Sequence, residues 1–220
     1  MADYVIIGAG AAGCVLANRL SADPSVKVLL LEAGQRDSHF KIHIPATYGA
    51  GLFKSAIDWN YNTVRQPNMD NRQLFWPRGK VLGGSTSINA MIYIRGNRWD
   101  YDHWRELGNP GWGYSDILPY FKKSEHQERG EDAWHGVGGE WNVADLISPN
   151  PLTQTYVTAA ERAGLKINRD FNGAEQEGCG TYQVSQKQGR RHSTAAAFLK
   201  PVLNRPNVTV LTGAVVTQIG

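Results

Sequence analysis

The chain has 220 residues, 41% of them apolar and 10% aromatic, and a formal net charge of +3 from 23 basic and 20 acidic residues. That is a globular composition, with chain enough for one sizeable core or for one core and a small partner domain. The basic residues form no block interleaved with aromatics, so the electrostatic footprint of a nucleic-acid binder is missing.

Tyr4 to Ile7 is a short continuous apolar run, the pattern of a strand buried on both faces. It meets Gly8-Ala9-Gly10-Ala11-Ala12-Gly13 and then the helical pattern Cys14 to Leu20. Ser21 to Ser25 contains a proline and breaks the helix, and a second apolar run, Val26 to Leu31, closes on Glu32-Ala33-Gly34. Strand, helix and parallel strand make one right-handed βαβ unit. From Gln35 to Arg78 periodicity fades into an excursion rich in aromatics, Asn, Pro and Gly, with short helices, read as covering a site.

Asp100 to Leu107 and Tyr114 to Ser124 are expected as short amphipathic helices, split by the turn-forming stretch Gly108 to Gly113. His126 to Gly139 reads as an exposed loop and Trp141-Asn142-Val143 as a strand. Asn150 to Ala163 reads as a helix, with Asn150 as N-cap, Pro151 in the first turn and Gly164 as the stop. Thr181 to Gln186 alternates like a half-buried strand, Ser193 to Leu199 makes a small helix, and Asn207 to Leu211 and Val215 to Ile219 read as the last strands.

Two distant cysteines, Cys14 and Cys179, suit a reduced intracellular protein better than a disulfide framework, and no metal site is expected. No run approaches the roughly 18 apolar residues of a membrane span, and the chain opens straight into its first strand, leaving no room for a cleaved leader. The expected location is the cytoplasm, with peripheral membrane association compatible.

Two constellations carry chemistry. In the first, Gly8 permits the tight turn off the strand, Gly10 lets the backbone approach a pyrophosphate, and Gly13 lets the helix pack on the sheet. Ala11 and Ala12 place their amides at the helix N-terminus, and Glu32 stands about 20 residues further on, where a carboxylate accepts from a ribose. This fingerprint does not separate FAD from NAD. The second constellation is Pro77-Arg78-Gly79-Lys80-Val81-Leu82-Gly83-Gly84-Ser85-Thr86-Ser87-Ile88-Asn89, followed by Ala90-Met91-Ile92-Tyr93-Ile94-Arg95-Gly96. Consecutive glycines and small hydroxyls let a backbone wrap a polar ligand closely, or simply make a tight turn.

Gly79 through Asp102 resembles the first signature of the glucose–methanol–choline (GMC) oxidoreductases, and with the opening fingerprint and Arg191-His192-Ser193 the likeness spans essentially the whole chain. The resemblance implies an α/β protein with a doubly wound, Rossmann-like FAD-binding domain from 1–145 and 190–220, and 146–190 as part of an α+β substrate domain. It implies FAD as cofactor, oxidation of a small-molecule alcohol to a carbonyl with hydride transfer to flavin N5, and an electron acceptor such as oxygen or a quinone. Gly8, Gly10, Ala11, Ala12, Gly13 and Glu32 are expected at the adenosine and pyrophosphate. Val81, Gly84, Ser85, Asn89, Ala90, Met91 and Ile92 are expected at the flavin end, and Val216 at the adenine. Where some relatives carry a histidine bonded to the flavin, this chain has Ile88, so the FAD is expected to be non-covalent. None of the six histidines matches the family's base, which is expected beyond residue 220. His39, His43, His126 and His135 sit in polar, loop-like surroundings and read as solvated or packing groups. The competing readings are an inactive FAD-binding fragment and a lyase on the same fold.

Overall fold

The computed structural model describes residues 1–219. In chain order the first elements are β1 (Tyr4–Ile7), α1 (Ala11–Leu20), β2 (Val28–Glu32) and the single turn α2 (Phe40–His43). The short strands β3 (Tyr61–Asn62) and β4 (Phe75–Trp76) follow as an antiparallel pair inside the long excursion. Next come α3 (Arg98–Glu106), α4 (Tyr114–Ser124), β5 (Glu125–Gln127), β6 (Trp141–Val143) and α5 (Pro151–Arg162). The two-residue strands β7 (Gln186–Lys187) and β8 (Arg190–Arg191), then β9 (Val208–Thr212), complete the set.

The chain divides into two compact units, Met1–Met91 with Gln188–Gly220, and Ile92–Lys187. From Ile92 onward the backbone pairs within its own unit: Ile92 bridges Val184, and Tyr93 N donates to Gln183 O at 2.9 Å.

The first unit is α/β. Its sheet is parallel, in the order β1-β2-β9, with Ile6, Leu30 and Val210 in register. β1 is not buried on both faces. Ile6 is buried, while Tyr4, Val5 and Ile7 are 49%, 55% and 52% exposed, because β1 is an edge strand with one covered face. α1 supplies that cover, with Ile6 Cγ2 close to Gly13. The buried face of α1, Gly13, Cys14, Ala17 and Asn18, packs on the π-helical turn Ala195–Leu199, where Asn18 Nδ2 donates to Phe198 O at 2.8 Å. A second cluster, Ile42, Leu52, Val81 and Ile88, anchors the long excursion. Val215 to Ile219 forms no strand; instead Gly213 N and Ala214 N donate to the carbonyls of Gly34 and Glu32, and the chain leaves the ladder.

In the second unit, α4 keeps its expected bounds, and α5 begins and ends where its caps place it. Asn150 Oδ1 accepts from Leu152 N, Pro151 takes the first turn, and Gly164 follows with φ +89°. α3 opens on a reciprocal capping box between Asn97 and Asp100. The expected strand Thr181 to Gln186 reduces to bridges from Val184 to Ile92 and Ala144. The expected exposed loop His126 to Gly139 starts inside β5, which pairs parallel with β6, and it carries the buried His135.

Candidate functional site

β1 delivers its chain into the glycine turn, where Gly8 takes φ +92° and its N–H donates to Leu31 O at 2.7 Å. A Cβ on Gly13 would collide with the Gly8 carbonyl, so the close helix–strand packing expected at this position is present. α1 starts at Ala11 with no side-chain cap and no acidic residue in its first turn. Ala11 and Ala12 are exposed there, so the amides of the first turn stay open to an anionic ligand.

The second glycine loop lies directly against the first. Gly83 N donates to Ala9 O at 2.7 Å, and Gly84, with φ +54°, would place a Cβ 2.8 Å from Gly10 Cα. A Cβ on Gly79 would in turn meet the Gly84 carbonyl. These glycines serve chain against chain as much as chain against ligand. Side chains lock the loop from within: Ser87 Oγ donates to Leu82 O at 2.7 Å, Thr86 Oγ1 to Gly83 O at 2.6 Å, and Gly79 N to Ser85 Oγ at 3.1 Å. Glu32 braces the arrangement at 5% exposure, accepting from Ala9 N and Gly34 N, each at 2.8 Å.

Where the two loops meet the ends of β1 and β2 there is a cavity of ≈ 280 Å³. Of the expected residues, Gly8, Gly10, Glu32, Gly84 and Val216 line it, beside the apolar Ile7, Leu31 and Val215. Trp59 and Gly79 also line it. Trp59 stacks on Tyr61 and lies under the Lys80 ammonium, 4.7 Å from its ring centroid; the only sequence signal for it was the aromatic richness of the excursion. Ala11, Ala12 and Gly13 stand beside the cavity in the first turn of α1. Val81 turns its side chain into the core, Ser85 is exposed, and Asn89 and Ala90 are half-buried. Met91 is buried at φ +63°, and Ile92, 48% exposed, belongs to the second unit. None of these last six lines the cavity.

Size alone does not pick the site. A groove of ≈ 580 Å³ in the second unit, lined by Arg129, Gln154, Glu161 and Asn168 among others, is larger but contains residues of neither glycine constellation. The second unit's ionisable core is a separate feature. His135, 3% exposed, sets Nδ1 3.0 Å from Glu125 Oε1 and Nε2 2.9 Å from Asp170 Oδ2, and Arg95 Nη2 donates to Glu125 at 2.9 Å. Asp132, His135 and Asp170 lie within metal-ligand spacing. Both ring nitrogens, however, face carboxylate oxygens, and an imidazolium donating to both offers no lone pair to a cation.

A glycine turn at a helix N-terminus, a carboxylate closing the second strand and an interlocked second glycine loop define a dinucleotide-binding α/β protein. Residues 2–220 match the family model described as GMC oxidoreductase, and the chain belongs to that family, whose cofactor is FAD. It is 50% identical over its full length to an alcohol dehydrogenase [acceptor] of Pseudomonas putida, covering 40% of that protein. It is 44% identical over 98% of its length to the mitochondrial choline dehydrogenase of Mus musculus, covering 37% of it. Among solved structures, pyridoxine 4-oxidase from "Mesorbium loti" superposes with a TM-score of 0.91 at 36% identity, over 97% of this chain and 42% of that one. The chain thus spans about two fifths of the length of the curated relatives it matches.

Proposed function

We propose that this chain forms the FAD-binding part of an oxidoreductase that converts the CH–OH group of a small alcohol to a carbonyl. The observation that carries the proposal is the shared cavity, in which Gly8, Gly10 and Glu32 of the first constellation meet Gly84 and Gly79 of the second. The residues fit the cofactor. Gly10 has open space where a Cβ would stand, the α1 amides are uncapped, and Glu32 retains acceptor capacity beyond its two backbone donors. A cavity of this size suits the nucleoside portion of an extended dinucleotide, with Val216 at the adenine and Glu32 toward the ribose. Ala11 and Ala12 offer amides to the pyrophosphate. Val81, Ser85, Asn89, Ala90, Met91 and Ile92 continue the path toward the flavin, largely through backbone atoms.

FAD, when bound, supplies a hydride acceptor at N5. The chain's own residues bind it, orient it and exclude water from one face. Ile88, 2% exposed in an apolar cluster, offers no nucleophile for a covalent link, so attachment is non-covalent. The base that takes the alcohol proton is assigned, on the family likeness, beyond residue 220, and among the described residues no histidine lines the cavity. Residues 146–190 contribute to the substrate domain, and a second acceptor of the oxygen or quinone kind reoxidises the cofactor. No helix among the described residues is long and apolar enough to cross a membrane.

The test is the full-length protein, purified gently and then acid-precipitated. Release of a yellow chromophore that reconstitutes the apo-protein is expected, followed by its bleaching on addition of an alcohol such as choline. A colourless protein that takes up no FAD would overturn the proposal.

A further inference from the structure

Arg191 is 3% exposed, and no carboxylate pairs with it among the described residues. Burial pulls its guanidinium down to about 10. Its bonds go to neutral acceptors: Nε donates to Ile42 O at 2.8 Å, and Nη1 to Thr86 O at 3.1 Å and to Asn89 Oδ1 at 2.7 Å. Nη2 is buried with no partner among the described residues. Asn89 Oδ1 also accepts from Met91 N at 3.1 Å, within a backbone turn where Met91 holds φ +63°.

Two donors converging on one oxygen decide which way the carboxamide points, because a flipped amide would set its NH₂ against both. The Nδ2 group is thereby turned away from Arg191 and finds no acceptor among the described residues. An uncompensated buried cation on the oxygen side also polarises the amide into a stronger donor. A half-buried residue with both lone pairs taken and both N–H donors free is built to give hydrogen bonds, not to receive them.

We propose that Arg191 is a positioning residue that aims the Asn89 carboxamide as a hydrogen-bond donor at an acceptor edge of the bound cofactor. This rests on the FAD-binding reading above. Lysine cannot replace it, since one ammonium cannot span Ile42 O, Thr86 O and Asn89 Oδ1 with the geometry of a planar fork.

The test is a double-mutant cycle in the full-length protein with Arg191→Met and Asn89→Ala. Its readouts are FAD affinity of the apo-protein by fluorescence quenching, midpoint potential of the bound flavin, and thermal unfolding of the apo-protein. Each single variant is expected to weaken FAD by about tenfold and shift the potential, and the double variant to be no worse than Asn89→Ala alone. Full additivity of the two losses, or a drop in apo-protein stability with affinity and potential unchanged, would sink the proposal. If Arg191→Met does not fold, Arg191→Lys takes its place in both backgrounds under the same additivity criterion. A wild-type protein that binds no FAD defeats the parent reading instead, so the two failures are distinguishable.

Discussion

His135 holds Glu125 through Nδ1, 3.0 Å from Oε1, with both side chains sealed from solvent. The opposite ring nitrogen is on Asp170, so two carboxylates favour the doubly protonated imidazole. Burial opposes that charge, but the hydrogen bonds to Asp170 and Glu125 outweigh it, and the pKa of His135 is raised to about 9. Burial also opposes charge on Asp170, yet its hydrogen bond to His135 wins and holds the carboxyl below its usual range.

The sign of the pH dependence follows from these two shifts. A raised histidine stabilises the fold fully below its unfolded value, near 6.5, and that contribution fades as pH rises toward about 9. The lowered Asp170 contributes above the ordinary carboxylate range, and the contribution is lost as pH falls through its folded value. Chemical unfolding of the full-length protein between pH 6 and pH 10 should therefore show stability declining across the upper part of that range. His135→Leu should remove most of the decline and cost about 3 kcal/mol near neutrality, because Glu125 and Asp170 lose a buried partner. An unchanged pH slope in the variant would refute the assignment.

The glycines of the two loops separate by what surrounds them. Gly10 has nothing within 4 Å of where a Cβ would stand, whereas a Cβ on Gly84 would meet Gly10 Cα at 2.8 Å from a φ of +54°. Gly10→Ala should leave the apo-protein within about 1 kcal/mol of wild type, the cost of alanine at an N-cap, while FAD affinity collapses as the methyl enters the cavity. Gly84→Ala should destabilise the apo-protein itself by about 2 kcal/mol through backbone strain and overlap. Urea unfolding of both apo-proteins beside FAD titration distinguishes a ligand-facing glycine from a loop-packing one. Equal apo stabilities would refute the division.

What was legible in the sequence follows from how local the cause is. The β1-α1-β2 order, Glu32 closing the second strand, and the ends of α5 are set by residues within a few positions, such as Asn150 and Pro151 at the start of α5. In the sequence His135 reads as an ordinary loop residue because its neighbours are polar and glycine-rich; its burial comes from Arg95, Glu125 and Asp170, brought in from 40, 10 and 35 positions away. The strand expected over Val215 to Ile219 has the right residues but finds no ladder after Thr212. Gly79 and Gly84 were recognisable as a loop, yet the demand for glycine there arises where that loop touches Gly10, a contact that spacing alone does not reveal.

Cys14 sits one residue past the last glycine of the turn, at a helix start where a thiol is often reactive. Here burial dominates and raises its pKa to about 11, and Sγ donates to Ala9 O at 3.2 Å. Brief iodoacetamide treatment of the folded full-length protein at pH 8, followed by peptide mapping, should leave Cys14 unmodified while the partly exposed Cys179 is alkylated. Labelling of Cys14 at a rate equal to Cys179 would show that the turn opens far more readily than its packing allows.

Glu32 combines two tasks in one carboxylate. Its oxygens accept the amides of Ala9 and Gly34 and so tie the glycine turn to the end of β2, while the same group lines the cavity. Glu32→Gln preserves shape but turns an NH₂ toward one of the two amide donors, leaving a buried clash of like polarity. The expected cost to the apo-protein is about 1–2 kcal/mol, from one hydrogen bond lost and one donor left without an acceptor. FAD affinity should fall by more than the brace alone explains, because the acceptor sites left for the proposed ribose contact drop from about two to one. Glu32→Asp keeps the charge but is one methylene too short to reach both amides, so it should destabilise the turn while retaining an acceptor in the cavity. Comparing apo unfolding with FAD titration for the two variants therefore assigns the loss to brace or to binding. Identical ratios of stability loss to affinity loss in both would mean that Glu32 acts on the loop alone.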